Sequence, residues 1–290
     1  MTRDRLPSFS PRLLFLLGAA VLSSCGDDPR AVSGPGFDPD VAPPPGGAWF
    51  RPSVTTRWQW QLAGEIDRRY DVPVYDVDLF DTPPEVMAAL AASGRRVICY
   101  FSAGSSEDWR ADFGLFAAPD LGNDLDGWAG ERWLDVTSER VLSVMLSRLD
   151  LAVAKGCAGV EPDNVDGYAN DSGFLLTARH QLGYNRRLAN EAHARGLAVL
   201  LKNDGDQAAA LEPFFDGSLN EQCHEFDECG QLAPFVSAGK PVFNAEYADS
   251  AGAAAALAAR VCPQALAESM RTLILPREVD DRFRVSCDEP

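Results

Sequence analysis

The chain has 290 residues, a formal net charge of −17 and only three histidines. Such acidity argues against nucleic acid and anionic lipid surfaces as partners and would suit a cationic ligand, although it also serves plain solubility. Of the seven cysteines, six would remain after lipidation of one of them (below), an even number that suggests disulfides in an oxidising compartment.

Residues 1–24 read as an export signal. Arg3, Arg5 and Arg12 accompany an apolar run from Leu13 to Leu22, about half the ~20 residues of a membrane-spanning helix. The run ends Leu22-Ser23-Ser24-Cys25, which resembles a lipobox and implies cleavage before Cys25 and acylation of its thiol. An ordinary signal peptide with a chance cysteine is the plainer alternative. Cleavage removes three Arg and one Asp and leaves a formal charge near −19. The expectation is an exported lipoprotein, anchored through Cys25 at a periplasmic or cell-surface membrane. No other segment is apolar enough to span a bilayer. Residues 25–52 are rich in Pro, Gly and Asp, hold few large apolar side chains, and read as a disordered tether. Residues 53–290 remain for one large domain.

Strands are expected at Trp58–Leu62, Val72–Asp76, Val97–Phe101, Gly159–Pro162, Ala198–Lys202, Gly217–Asn220, Pro241–Ala245 and Arg271–Leu275. Helical periodicity marks Pro84–Ser93, Val141–Lys155, Thr177–Arg195, Gln231–Ala238 and Ala253–Met270. Thr177 stands as an N-cap and Gly196 as a helix stop. No helix of normal length fits between the first two strands. Eight strands, mostly with helical crossovers, predict a TIM (β/α)8 barrel with a long loop insertion after the third strand. A doubly wound open sheet is the runner-up, but its Gly-rich phosphate turn after the first strand is missing.

In such barrels the C-terminal strand ends build the active site. Here those ends carry Gln61, then Asp76 and Asp78, Tyr100 and Ser102, Glu161 and Asp163, Lys202 and Asn203, Glu221, and Glu246. Carboxylates crowded on one rim oppose folding, so their recurrence points to function. The insertion Ser102–Arg140 holds Trp109, Trp128 and Trp133, a common platform for sugar rings. For any single tryptophan, packing onto the barrel is the plainer reading. Many rim acids and few histidines suit glycoside hydrolysis, which needs two carboxyl groups flanking the scissile bond.

The segments WQWQL (Trp58–Leu62), YDVDLFDT (Tyr75–Thr82), ICYFSAGSSEDWR (Ile98–Arg110) and GERWLDV (Gly130–Val136) resemble glycoside hydrolase family 114. So do KGCAGVEPDNVDGY (Lys155–Tyr168), LLKND (Leu200–Asp204), NEQC (Asn220–Cys223) and AGKPVFNAEY (Ala238–Tyr247). EPDNVDGY is the most specific of them, and after Tyr247 no motif is recognised. The resemblance implies a TIM-barrel endo-α-1,4-polygalactosaminidase acting on a cationic amino-sugar polysaccharide. Carried over by motif, Asp163 and Glu221 are the catalytic pair. By analogy with α-retaining barrels, Asp163 is expected as nucleophile and Glu221 as general acid/base, with Lys202 holding one of them ionised. Gln61, Asp76, Asp78, Tyr100, Trp109, Glu161, Asn164, Lys202, Asn203 and Glu246 are expected to bind substrate. No cofactor is expected.

Other chemistries fit less well. Asn164-Val165-Asp166-Gly167 echoes a calcium loop, but Pro162 and Gly173 would occupy its first and twelfth positions. Cys223, His224 and Cys229 match no common zinc spacing, so no metal is expected. Disulfides are expected as Cys223–Cys229 and Cys262–Cys287, with Cys99 and Cys157 either buried thiols or a third bridge. His180 and His193 read as surface or packing residues, and no Gly-x-Ser-x-Gly elbow supports an esterase. The alternative to an enzyme is a non-catalytic surface lipoprotein that binds amino-sugar polysaccharide.

Overall fold

Strands and helices alternate through the computed structural model, which describes residues 34–289. The signal segment and Cys25 lie outside the described residues. In chain order come β1 (Trp58–Gln61), β2 (Val74–Asp78), α1 (Pro84–Ala92) and β3 (Arg96–Ser102). Three short strands follow, β4 (Ser105–Glu107), β5 (Leu121–Asp124) and β6 (Glu131–Leu134), then α2 (Glu139–Lys155) and β7 (Gly159–Asp163). The second half runs α3 (Ala178–Ala194), β8 (Ala198–Lys202), α4 (Ala208–Leu211), β9 (Gly217–Glu221) and α5 (Ala233–Ser237). It ends with β10 (Val242–Tyr247), α6 (Ala251–Ala267), β11 (Arg271–Leu275) and β12 (Val285–Ser286).

Eight strands pair in parallel in the order β1-β2-β3-β7-β8-β9-β10-β11, giving a TIM-barrel-like α/β fold. All eight coincide with expected strands. The second is displaced: Pro73 has no N–H for the ladder, so β2 starts after it and ends at Asp78. The short α4 carries no detectable period of its own. Thr177 caps α3, its Oγ1 accepting from His180 N–H at 3.2 Å, and Gly196 leaves the helix at φ +76°. Side chains alternate across the sheet. One set, including Trp58, Trp60, Val74, Ile98, Leu200, Leu219 and Phe243, fills the inside. The other, including Tyr75, Val77, Val97, Val160, Val199 and Leu201, packs outward with Leu149, Leu188 and Ala192 of the helices.

The seam between the first and eighth strands departs from the expected closed ladder. Among the described residues no pairing of β1 with β11 is recorded. Instead Trp58 Nε1 donates to the Arg271 carbonyl at 2.7 Å, and Leu62 N–H donates to the Val279 carbonyl at 3.0 Å. β12 adds antiparallel to β11, and Cys262–Cys287 ties α6 to this segment. Cys223–Cys229 and Cys99–Cys157 form the other two bridges, so no thiolate is left beside His224 for a metal.

The insertion after β3 carries a three-stranded antiparallel sheet, β4-β6-β5. Two buried arginines hold it down. Arg110 meets Asp78 at 2.7 Å and Glu107 at 2.8 Å, while Arg148 of α2 meets Asp112 at 2.9 Å and the Ser102 carbonyl at 2.7 Å.

Residues 34–52 correct the disordered-tether expectation, because they lie strapped along α3. Gly34 N–H donates to Thr137 Oγ1 at 2.8 Å, and Phe37 packs against Tyr184. A Cβ on Gly183 would stand 2.2 Å from the Phe37 carbonyl oxygen, so glycine there admits the strap. Arg186 donates to the Pro39 carbonyl and Asn190 to the Ala42 carbonyl. Trp49 stacks on the buried His193 with centroids 4.1 Å apart, and its Nε1 donates to Asp216 at 2.8 Å. Two aromatics and a row of backbone acceptors suffice where composition showed little core material. Trp49→Ala is expected to cost about 1–3 kcal/mol in urea unfolding, since a partly buried ring, its stack and one hydrogen bond are lost. An unchanged midpoint would show that the strap adds nothing to stability.

Candidate active site

The inward stripes turn polar toward the C-terminal rim. Lys202 ends β8 and is 2% exposed. Its Nζ lies 3.0 Å from Glu161 Oε1, 3.2 Å from Asp163 Oδ2 and 3.3 Å from Glu221 Oε2. The Trp60 ring centroid is 4.9 Å from the same nitrogen and that of Tyr100 5.7 Å. Asp163 ends β7 and Glu221 ends β9, the fourth and sixth strands of the barrel. Because both touch one ammonium, their nearest oxygens are within about 6.5 Å of each other.

The residues just past three adjacent strands adopt left-handed backbone: Asn164 at φ 59°, Asn203 at φ 48° and Gln222 at φ 60°. Asparagine tolerates this region better than most residues. The turns make local hydrogen bonds to the acids. Asn164 N–H donates to Asp163 Oδ1 at 2.7 Å, and Asn203 Nδ2 donates to Glu221 Oε2 at 3.2 Å. Asn203 Oδ1 accepts the Glu221 N–H at 3.0 Å, and the Tyr247 hydroxyl donates to Glu221 Oε1. Asn164 Nδ2 reaches Ser102 Oγ and Ser105 Oγ, linking β7 to the insertion. This close approach requires Gly104, where a Cβ would stand 1.7 Å from the Asn164 carbonyl oxygen.

Above the cluster opens a cleft of about 620 Å³. Trp60, Tyr100, Trp128, Trp133 and Tyr247 supply aromatic wall, and Glu131, Asp166, Asp204 and Asp206 supply acid around Asp163 and Glu221. Lys202 stays charged: burial disfavours the ammonium, but Asp163, Glu161 and Glu221 outweigh it and raise its pKa well above normal. Burial likewise disfavours ionised Glu221, yet Lys202, Tyr247 and Asn203 prevail and hold its pKa below the usual value. Burial lifts Asp166 to about 6, helped by Asp163, and Asp204 to about 8, helped by Asp166. Glu131 rises to about 7 by burial, against a hydrogen bond from Ser105.

Of the residues expected at the site, Asp163, Glu221, Tyr100, Asn164, Lys202 and Asn203 line the cleft. Others do not. Gln61 faces away from the barrel interior and is occupied by the loop after β1, donating to the Ala63 and Glu65 carbonyls and accepting from Asp67 N–H. Asp78 is spent on Arg110 and on the N–H groups of Phe80 and Asp81. Asp76 and Glu161 point inward but lie sealed below the rim, each 0% exposed. Glu246 has the outward phase of β10 and accepts from His224 N–H, holding the loop after β9. Trp109 is 53% exposed and lies off the cleft that Trp128 and Trp133 line. Lys202 touches both members of the pair rather than one. Tyr247, Trp60, Asp166 and Asp204 also line the cleft and are absent from the residues expected there. Asp166 and Asp204 sit inside the EPDNVDGY and LLKND segments, and Tyr247 follows Glu246 with the opposite phase.

The profile of glycoside-hydrolase family GH114 matches residues 41–290. The crystal structure of Aspergillus fumigatus Ega3 in complex with galactosamine is similar at 41% identity and a TM-score of 0.78, covering 83% of this chain and 99% of that one. The glycoside hydrolase domain of PelA from Pseudomonas aeruginosa shares the fold at 16% identity and a TM-score of 0.62, over 79% of this chain and 97% of that one. An uncharacterised protein of Deinococcus radiodurans is 26% identical over an alignment 302 positions long with its gaps, covering 90% of this chain and 98% of that protein.

Proposed function

The chain belongs to glycoside hydrolase family GH114 and is a glycoside hydrolase, and from that premise we propose that it cuts a cationic α-1,4-linked galactosamine polymer internally. The observation that carries this reading is the pair Asp163 and Glu221 on one buried ammonium, at the floor of an acidic, tryptophan-walled cleft. The galactosamine bound to Ega3, the more similar of the two solved structures, supports the sugar class. Acidic walls attract protonated amines, and the aromatic faces suit the apolar faces of sugar rings. Export and acylation at Cys25 complete the proposal and rest on residues 1–25 alone. Turnover of galactosamine oligomers by the purified protein, in a panel with their acetylated forms, tests it. Binding without turnover would instead favour the polysaccharide-binding alternative.

The chemistry follows from the spacing. A pair within about 6.5 Å suits retention, where about 5–5.5 Å is usual, better than inversion at about 6.5–9.5 Å. Asp163 attacks the anomeric carbon while Glu221 protonates the departing sugar oxygen. Glu221 then draws a proton from water, which opens the glycosyl-enzyme bond.

One observation favours a second reading with the roles exchanged. Against burial, Lys202, Tyr247 and Asn203 keep Glu221 ionised, which suits a nucleophile. Azide rescue with an activated α-galactosaminide separates the two. The first reading expects an α-azide from Glu221→Ala and a β-azide from Asp163→Ala, and the second expects the converse. A wild-type product that appears first as the inverted anomer would remove both.

A further inference from the structure

Beneath Lys202 lies an acid pair that the proposed reaction does not use. Asp76 is in mid-β2 and Glu161 in mid-β7, and both are 0% exposed. Glu161 Oε1 accepts from Lys202 at 3.0 Å. Glu161 Oε2 and both Asp76 oxygens are buried without a hydrogen-bond donor. Two ionised carboxylates cannot comfortably share such a place. Each bare buried acceptor is costly, the more so when charged, and the like charges repel. The groups facing the pair are Trp60 from β1, Tyr100 from β3, Asp163 from β7, Lys202 from β8 and Glu221 from β9. Of these only Lys202 is a cation, and it is already shared among three carboxylates. A single proton held between Asp76 and Glu161 supplies the missing donor.

We propose that Asp76 and Glu161 hold one proton between them and act as a positioning pair for Lys202, setting how far its ammonium stands from Asp163 and Glu221. The proposal rests on the reading of Asp163 and Glu221 as the catalytic pair. With the proton in place the pair carries one negative charge against the ammonium. Loss of that proton doubles the charge below Lys202, draws the ammonium inward and leaves the rim acids less well held. Burial and the charge of Glu161 keep Asp76 protonated well above the usual carboxylate range, and burial lifts Glu161 to about 7. The loss therefore belongs to the alkaline side of the pH profile.

Asp76→Asn tests this, because the amide can donate to Glu161 and cannot ionise. The alkaline limb of kcat is expected to move up by at least one pH unit, with turnover at the optimum above a tenth of wild type. Infrared difference spectra without substrate give an independent reading. A carboxylic-acid C=O band present in the wild type at neutral pH is expected to be missing from the variant. Identical bands in the two proteins would overturn the shared proton, whatever the activity. A missing band with an unmoved alkaline limb would overturn the positioning role. Asp76→Ser, whose hydroxyl can also donate, takes the same tests if the asparagine variant fails to fold. If the wild type turns over no galactosamine polymer, the infrared arm still decides the pair while the enzymatic reading fails separately.

Discussion

Asp163→Asn and Glu221→Gln are each expected to lower kcat on galactosamine oligomers by about 10³-fold or more, within the range for removing a positioned proton-transfer group or nucleophile. Both changes conserve shape and remove one negative charge from the surroundings of Lys202. The ammonium keeps Glu161 and the remaining rim acid, so the interior stays paired. Folding, followed by circular dichroism, should therefore persist, and calorimetric binding of an oligomer should survive. The cleft walls, Trp128 and Trp133 among them, are untouched. Turnover above a tenth of wild type in either variant would show that the pair is wrongly assigned.

Lys202→Met combines loss of activity with loss of stability. The side chain is nearly matched in volume, so packing changes little, but Glu161, Asp163 and Glu221 lose their shared partner. Breaking a buried ion pair from one side costs about 3–5 kcal/mol. The deficit should depend on pH in a definite sense. Without the ammonium, burial and mutual repulsion raise the folded-state pKa values of these carboxyls above their unfolded values. Groups shifted in that direction bind more protons folded than unfolded, so stability falls as pH rises through the window between the two. Urea melts should show the variant far below wild type at pH 7.5 and closer to it at pH 5. Equal deficits at the two pH values would contradict the electrostatic account.

The fold, and many of the residues that line the candidate cleft, were legible in the sequence because period and chain order survive into three dimensions. The eight expected strands all form, and Asp163 and Glu221 close the fourth and sixth of them. Gln61 and Glu246 were misplaced through phase. A strand end was read as a place, whereas a strand presents alternate residues to opposite faces. Glu246 and Tyr247 are neighbours, but Tyr247 faces the cleft and Glu246 the helices' side. Gln61 and Trp60 divide in the same way. Depth was also invisible: Asp76 and Glu161 have the right phase but sit too low to meet a ligand. Asp78 was taken up by Arg110, which comes from the insertion 32 residues away and leaves no local trace. The strap shows a further limit, since composition reports core material and not the backbone acceptors that a neighbouring helix can use.

That strap runs from the N-terminus of α2, past the start of α3 at His180, to His193 at its other end. α3 follows β7 and α2 follows the insertion that leaves β3, so the chain enters the fold on the side of the C-terminal strand ends, where the cleft opens. With Cys25 acylated, as proposed, about nine residues would separate the lipid from Gly34, a leash of at most about 30 Å. The rim would then stay within about 30 Å of the bilayer surface, and polymer lying along the same membrane would be within reach of the cleft.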